Sequence, residues 1–159
     1  TLHRPSNVDD QYSLESLMDT MKQMSEDNTV VFPIHPRTKN NLKKYNIFEK
    51  YNSIKNLKII EPQGYIDFMC LQKNAKLIIT DSGGIQEESS YFQTPCLTVR
   101  DNTERPVTIS HGTNKLIGAN YENIIPQLKM IENKISNINL WDGMSSKRIV
   151  KILKEYYND

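Results

Sequence analysis

With 159 residues, 37% of them hydrophobic, the chain is long enough for one domain with a real core and too short for two. Its formal charge is +1, and the basic residues are scattered rather than stacked on one face, which argues against a nucleic-acid partner. No apolar run approaches the length of a membrane span, and the opening Thr1-Leu2-His3-Arg4-Pro5 does not resemble a signal peptide, so no membrane partner is expected and the expected compartment is the cytoplasm.

The chain opens without methionine, as though already inside a structural element, and reads as a fragment of something longer. Apolar residues at Leu14, Leu17, Met18, Met21 and Met24 predict a helix, and Thr29-Val30-Val31-Phe32 predicts a short strand. After His35-Pro36 come a polar helix at Thr38 to Tyr45, a strand at Leu57 to Ile60, and a helix from about Tyr65 to Lys73. A strand at Lys76 to Thr80 enters a glycine-containing loop, a helix from Ile85 to Phe92 leaves it, and Pro95 to Val99 forms another strand. A short strand at Lys115 to Gly118 precedes helical patterns at Tyr121 to Asn133 and Ser145 to Tyr157. Strands alternating with helices predict an α/β fold, a Rossmann-like parallel sheet with helices on both faces, in one domain over residues 1–159. Cys70 and Cys96 fall in apolar segments and are expected to be reduced core residues rather than a disulfide or a metal pair.

In an open parallel sheet, ligands collect beyond the carboxyl ends of the strands. The residues there are His3-Arg4, His35-Pro36, Glu61-Pro62-Gln63, Asp81 to Gly84, and Arg100 to Arg105. Of these, the loop Thr80-Asp81-Ser82-Gly83-Gly84 is the most informative, because a strand that stops at paired glycines and restarts as a helix leaves backbone N–H groups unpaired at a positively polarised helix start. That arrangement suits a phosphate or diphosphate. Taken alone, it is equally well explained as a tight strand-to-helix turn capped by Ser82 or Gly83.

Two familiar phosphate grips are excluded. A Walker A loop needs Lys-Ser or Lys-Thr after its last glycine, and Gly84 is followed by Ile85-Gln86-Glu87. The Gly-x-Gly-x-x-Gly spacing of dinucleotide binders is absent, and the loop lies late in the chain. Glu88, about one helical turn beyond Gly84, carries a carboxylate suited to accepting hydrogen bonds from both hydroxyls of a ribose, which points to a nucleotide.

Five strings, in order along the chain, give a specific resemblance. They are Thr1-Leu2-His3-Arg4-Pro5-Ser6-Asn7, Phe32-Pro33-Ile34-His35-Pro36, Glu61-Pro62-Gln63-Gly64-Tyr65-Ile66-Asp67-Phe68, Thr80 to Glu88, and Thr103-Glu104-Arg105-Pro106, with Trp141-Asp142-Gly143-Met144-Ser145-Ser146 at the close. Together they closely resemble the C-terminal domain of the non-hydrolysing UDP-N-acetylglucosamine 2-epimerases. The resemblance implies the C-terminal half of a glycosyltransferase-B type fold, with the N-terminal catalytic domain absent from this chain and the substrate held between the two.

By this resemblance Gln63 and Phe68 match positions at the uracil, Ser82, Gly83 and Gly84 match those around the diphosphate, Glu88 matches the ribose carboxylate, and Arg105 matches a substrate-binding arginine. His3 matches an active-site histidine, the one acid/base candidate carried here. Arg4 and His35 match positions near a second, activating nucleotide sugar in bacterial members. The implied partners are a UDP-sugar substrate and the missing N-terminal domain, with a full-length homodimer and neither cofactor nor metal.

Each residue also has a plainer reading. His3 and His35 suit strand ends satisfied by backbone groups, Phe68 suits core packing, and Arg105 suits pairing with Glu104 or Asp101. His111 reads as a helix-ending residue ahead of a left-handed Gly112, with no functional role.

The family's reaction eliminates UDP to give 2-acetamidoglucal and adds it back with the opposite configuration at carbon 2. This chain is therefore expected to stabilise the leaving UDP, while most of the proton transfer belongs to the absent domain. An epimerase of a 6-deoxy UDP-amino sugar and the donor domain of a glycosyltransferase-B type transferase are the alternatives.

Overall fold

The structure is a computed structural model, and it describes residues 1–119, 121–130 and 134–157. After a single turn of helix, α1 (Pro5–Val8), Asp10 caps α2 (Gln11–Asp27) by accepting from the Ser13 amide at 2.9 Å. Leu14, Leu17, Met18 and Met21 recur at helical spacing on α2 and are buried, as the periodicity predicts. Strand β1 (Val30–Pro33) leads to α3 (Pro36–Lys44), which His35 caps through its ring, Nδ1 accepting from the Arg37 amide at 3.1 Å.

A short helix α4 (Phe48–Asn52), which the sequence did not announce, precedes β2 (Leu57–Ile60). Then follow α5 (Tyr65–Asn74), β3 (Ile78–Thr80), α6 (Gly83–Phe92), β4 (Cys96–Thr98), α7 (Pro106–Ser110) and β5 (Asn114–Leu116). A 3₁₀ turn at Tyr121–Asn123 enters α8 (Ile124–Lys129), and the chain closes on α9 (Ser145–Tyr157). Residues 131–133 of the helix expected up to Asn133 lie outside the described residues.

All strand pairs are parallel and helices flank them, giving the Rossmann-like α/β fold expected, but the strands form two ladders, β1-β2 and β3-β4-β5, rather than one sheet. Residues 1–4 link the two. The Thr1 nitrogen donates to Ile79 O at 3.3 Å, Thr80 Oγ1 donates to Thr1 O at 3.0 Å, and Thr38 Oγ1 donates to Leu2 O at 2.7 Å. Side-chain hydroxyls thus take carbonyls that a continuous ladder would have used. The main core spans both ladders, joining Leu2, Leu14, Met18, Phe32, Leu57 and Leu97. A second cluster, Ile78, Ile85 and Cys96, sits beneath α5 and α6 with Phe68 packed against it. No helix among the described residues is long and apolar enough to cross a membrane.

Two expectations fail here for clear reasons. Cys70 is exposed, because α5 turns Phe68, Leu71 and Gln72 inward at i, i+3, i+4 spacing and leaves Cys70 on the far side. Gly112 follows the helix end at His111 as expected but lacks left-handed backbone. Its constraint is space: a Cβ there would lie 2.4 Å from Ser90 Oγ and 2.5 Å from Thr108 O.

Gly112→Ala is accordingly expected to destabilise the fold by about 1–3 kcal/mol, the usual cost of overpacking, read from the midpoint of urea unfolding. Burial pushes the Cys96 thiol up to about 11, so in the native protein a maleimide should label Cys70 rapidly and Cys96 only on unfolding. Mass spectrometry of labelled peptides distinguishes the two.

Candidate functional site

Strand β3 ends at Thr80, whose hydroxyl accepts from the Ser82 amide at 3.1 Å and so turns the chain into α6. Ser82 is the N-cap, in extended backbone, yet its hydroxyl makes no capping bond. The first N–H groups of α6 therefore gain no partner from their own cap, at the positive end of a ten-residue helix. A methyl group built on Gly84 would meet no atom within 4 Å. Alanine is the better helix former by about 1 kcal/mol, so chain packing gives no reason for glycine at 84, whereas close approach of an outside group does.

Asp81, between β3 and Ser82, is fully buried. Its Oδ2 accepts from the amides of His3 at 2.9 Å and Arg4 at 2.8 Å and from Asn7 Nδ2 at 2.9 Å. Its Oδ1 lies 3.1 Å from His3 Nδ1, and its backbone carbonyl accepts from Arg4 Nε at 3.0 Å. Asn7 is held in turn by the Tyr121 hydroxyl, which donates to Asn7 O at 3.1 Å. One carboxylate thus fixes the segment bearing His3 and Arg4 to the mouth of the glycine loop. The His3 ring stacks on His35 with centroids 4.9 Å apart. Burial holds the His3 pKa below its ordinary value; Asp81 works against this, and His35 and Arg4 add to it.

Above the loop, Glu104 accepts from Arg100 Nη1 at 2.8 Å and Nη2 at 2.7 Å and lies 3.5 Å from Arg4 Nη2. These hydrogen bonds from Arg100 hold its carboxyl down at about 2. A Cβ at Gly83 would sit 3.8 Å from Glu104 Oε2, so this carboxylate rests close to the start of α6. Arg105 does not pair with the side chains of Glu104 or Asp101: its Nε lies 2.7 Å from Glu87 Oε1 without hydrogen-bond alignment, and its Nη1 donates to Glu104 O at 3.3 Å. The Arg105 loop is tied down by Thr103 Oγ1, which donates to the buried Gln86 Oε1 at 2.6 Å and accepts from the Arg105 amide at 2.9 Å.

Glu88, half-buried on α6, accepts from Gln72 Nε2 of α5 at 2.5 Å. Phe68 is half-buried against the second core cluster. Gln63 is exposed and donates to Glu61 O within its own loop at 2.6 Å. The structure therefore gathers His3, Arg4, His35, Ser82, Gly83, Gly84 and Arg105 around one loop, places Glu88 a turn further along α6, and leaves Gln63 on a separate strand end. Among the described residues no three His, Cys, Asp or Glu side chains gather as a metal-ligand set.

Residues 1–154 match the family model described as UDP-N-acetylglucosamine 2-epimerase. The chain belongs to this family. The UDP-N-acetylglucosamine 2-epimerase of Methanocaldococcus jannaschii is 47% identical over 160 residues, covering 96% of this chain and 43% of the relative. The crystal structure of the M. jannaschii enzyme in complex with UDP-GlcNAc and UDP superposes with a TM-score of 0.81 at 44% identity, over 97% of this chain and 44% of that one. The Staphylococcus aureus MnaA–UDP co-structure gives a TM-score of 0.80 at 32% identity, over 99% and 45%. The chain thus spans less than half the length of these relatives.

The sequence reading passed over the roles of Asp81, Arg100 and Gln86. The first two lay inside strand-end segments already singled out, but their partners could not be read from local spacing. Gln86, a polar residue fully buried on α6, carried no such signal. Because the folded pKa of Glu104 is depressed from 4.5 to about 2, its pairing with Arg100 contributes stability that is present above pH 4.5 and lost as pH falls through 2. Glu104→Gln should be less stable than the native chain above pH 4.5, with the gap closing toward pH 2 in urea titrations.

Proposed function

We propose that this chain is the UDP-binding half of an epimerase that interconverts UDP-N-acetylglucosamine and UDP-N-acetylmannosamine by eliminating and re-adding UDP, for cell-surface polysaccharide precursors. The observation that carries the reading is the open glycine loop at the start of α6, flanked by Arg4 and Arg105, in a chain of this family. The reading includes a second, N-terminal domain in a glycosyltransferase-B arrangement, a homodimeric full-length protein and a cytoplasmic location.

In this mechanism the amides of Gly83 and Gly84, the helix dipole and Arg105 take up the negative charge that grows on the departing UDP. Ser82 donates its free hydroxyl to the diphosphate, and Glu88 accepts from the ribose hydroxyls. Gln63 and Phe68 hold the uracil. His3 faces the cleft as the acid/base group of this half, and carboxylates of the absent domain carry the remaining proton transfers at carbons 1 and 2. Arg4 and His35 lie beside His3, where a second nucleotide sugar would be felt by the catalytic ring.

Calorimetry should detect weak binding of UDP and UDP-N-acetylglucosamine by the isolated chain, with similar affinity for both. Gly84→Ala should preserve or slightly raise thermal stability yet weaken UDP binding at least tenfold, a combination that a purely structural turn cannot give. Glu88→Ala should weaken UDP binding by about 1–3 kcal/mol while leaving inorganic pyrophosphate unaffected; equal losses for both would make Glu88 a clamp for Gln72. Joined to its N-terminal domain, the chain should interconvert the two UDP-sugars with exchange of the carbon 2 proton into deuterated water. Transfer of the sugar to an acceptor would move the reading to a glycosyltransferase.

A further inference from the structure

Asp81 is buried, sits one residue before the diphosphate loop, and touches the proposed acid/base histidine at both its backbone and its ring. Asp81 Oδ1 lies 3.1 Å from His3 Nδ1 without hydrogen-bond alignment, and a carboxylate at that distance presents only lone pairs, so a proton on Nδ1 is favoured there over a second lone pair. A neutral imidazole protonated at Nδ1 carries its lone pair on Nε2. Three further donors, the His3 and Arg4 amides and Asn7 Nδ2, hold the carboxylate so that it cannot rotate away from the ring. His35 stacks on His3 and limits its rotation.

We propose that Asp81 is a positioning residue that fixes His3 as the Nδ1–H tautomer, leaving Nε2 free to take a proton from the substrate or return it. The inference rests on the epimerase reading of His3, but its structural half stands without it. By the same contact Asp81 stabilises the imidazolium formed when Nε2 has taken a proton, and no proton need pass to the carboxylate itself. Glycine loop and acid/base group are thereby set from one atom group: Asp81 is covalently continuous with Ser82 and hydrogen-bonded to His3.

Long-range ¹H–¹⁵N correlation of the His3 ring, recorded above its titration, reads the tautomer directly. The native chain should show the proton on Nδ1, and Asp81→Asn should move population to Nε2–H and lower the His3 pKa, because the lost negative charge had been raising it. The substituted carboxamide can still accept from the two backbone amides, and an amide fingerprint spectrum checks that the fold is kept. In the full-length protein the same variant should lower kcat on the order of 10²–10⁴-fold, with UDP binding within threefold of the native value. A native His3 protonated on Nε2 overturns the proposal. So does a variant whose tautomer changes while kcat does not. If Asp81→Asn fails to fold, the native tautomer alone decides. If the native full-length protein performs no epimerisation, the functional reading fails while the tautomer still reports on Asp81.

Discussion

The Asp81 carboxylate is the interaction on which the rest of the site depends. A buried carboxylate is tolerable only when its lone pairs are filled by well-placed donors, and removing one partner of a buried charge typically costs about 3–5 kcal/mol. Here the donors come from residues 3, 4 and 7, far away in sequence, so satisfying one charge also brings the first residues of the chain against the end of β3. That contact sets His3 over the loop and Arg4 beside Glu104. The two ladders share no strand pairing, and this cluster is one of the links that joins them.

A second set of buried polar groups does the same for the other wall. Gln86 Oε1 accepts from Thr103 Oγ1 and from Asn114 Nδ2 at 3.0 Å, while Gln86 Nε2 donates to Ser82 O at 3.2 Å. One side chain thereby fixes the N-cap of α6, the loop that carries Glu104 and Arg105, and the start of β5. Arg100, itself buried, grips Glu104 with two donors and gives the same loop a second hold. The arginines near the helix start are set by these bonds before any ligand arrives, which reduces the ordering cost of binding.

Much of the fold was legible because the relevant residues have few uses. Leu14, Leu17, Met18 and Met21 at helical spacing admit little but a buried helix face, and Thr80-Asp81-Ser82-Gly83-Gly84 after an apolar strand admits little but a strand-to-helix turn. What escaped was long-range or polar. Nothing local shows that the Thr38 and Thr80 hydroxyls would take the carbonyls of Leu2 and Thr1 and so interrupt the sheet. Nothing in the spacing of α5 shows that Gln72 rather than Cys70 would point inward, since glutamine is ordinarily a surface residue. The short helices α1 and α7 begin at prolines, a favoured first helical position, but are too short to show an apolar period in the sequence. Arg105 Nε faces Glu87 on α6 rather than the side chains of Glu104 and Asp101 nearer in sequence, a pairing that local spacing does not show.

The bonds at Asp81 join residues 74 to 78 positions apart, and the Tyr121 bond to Asn7 spans 114. Contacts of such separation form late in folding, because the entropy of closing the loop is lost before the contact is gained. The loop that starts α6 can therefore form locally and early, but the group facing it cannot be present until the chain has closed on itself. A form of the chain that lacks these contacts lacks the assembled site. Under the proposed epimerase reading, nucleotide would stabilise only the chain that has made these contacts, raising its resistance to unfolding with ligand concentration.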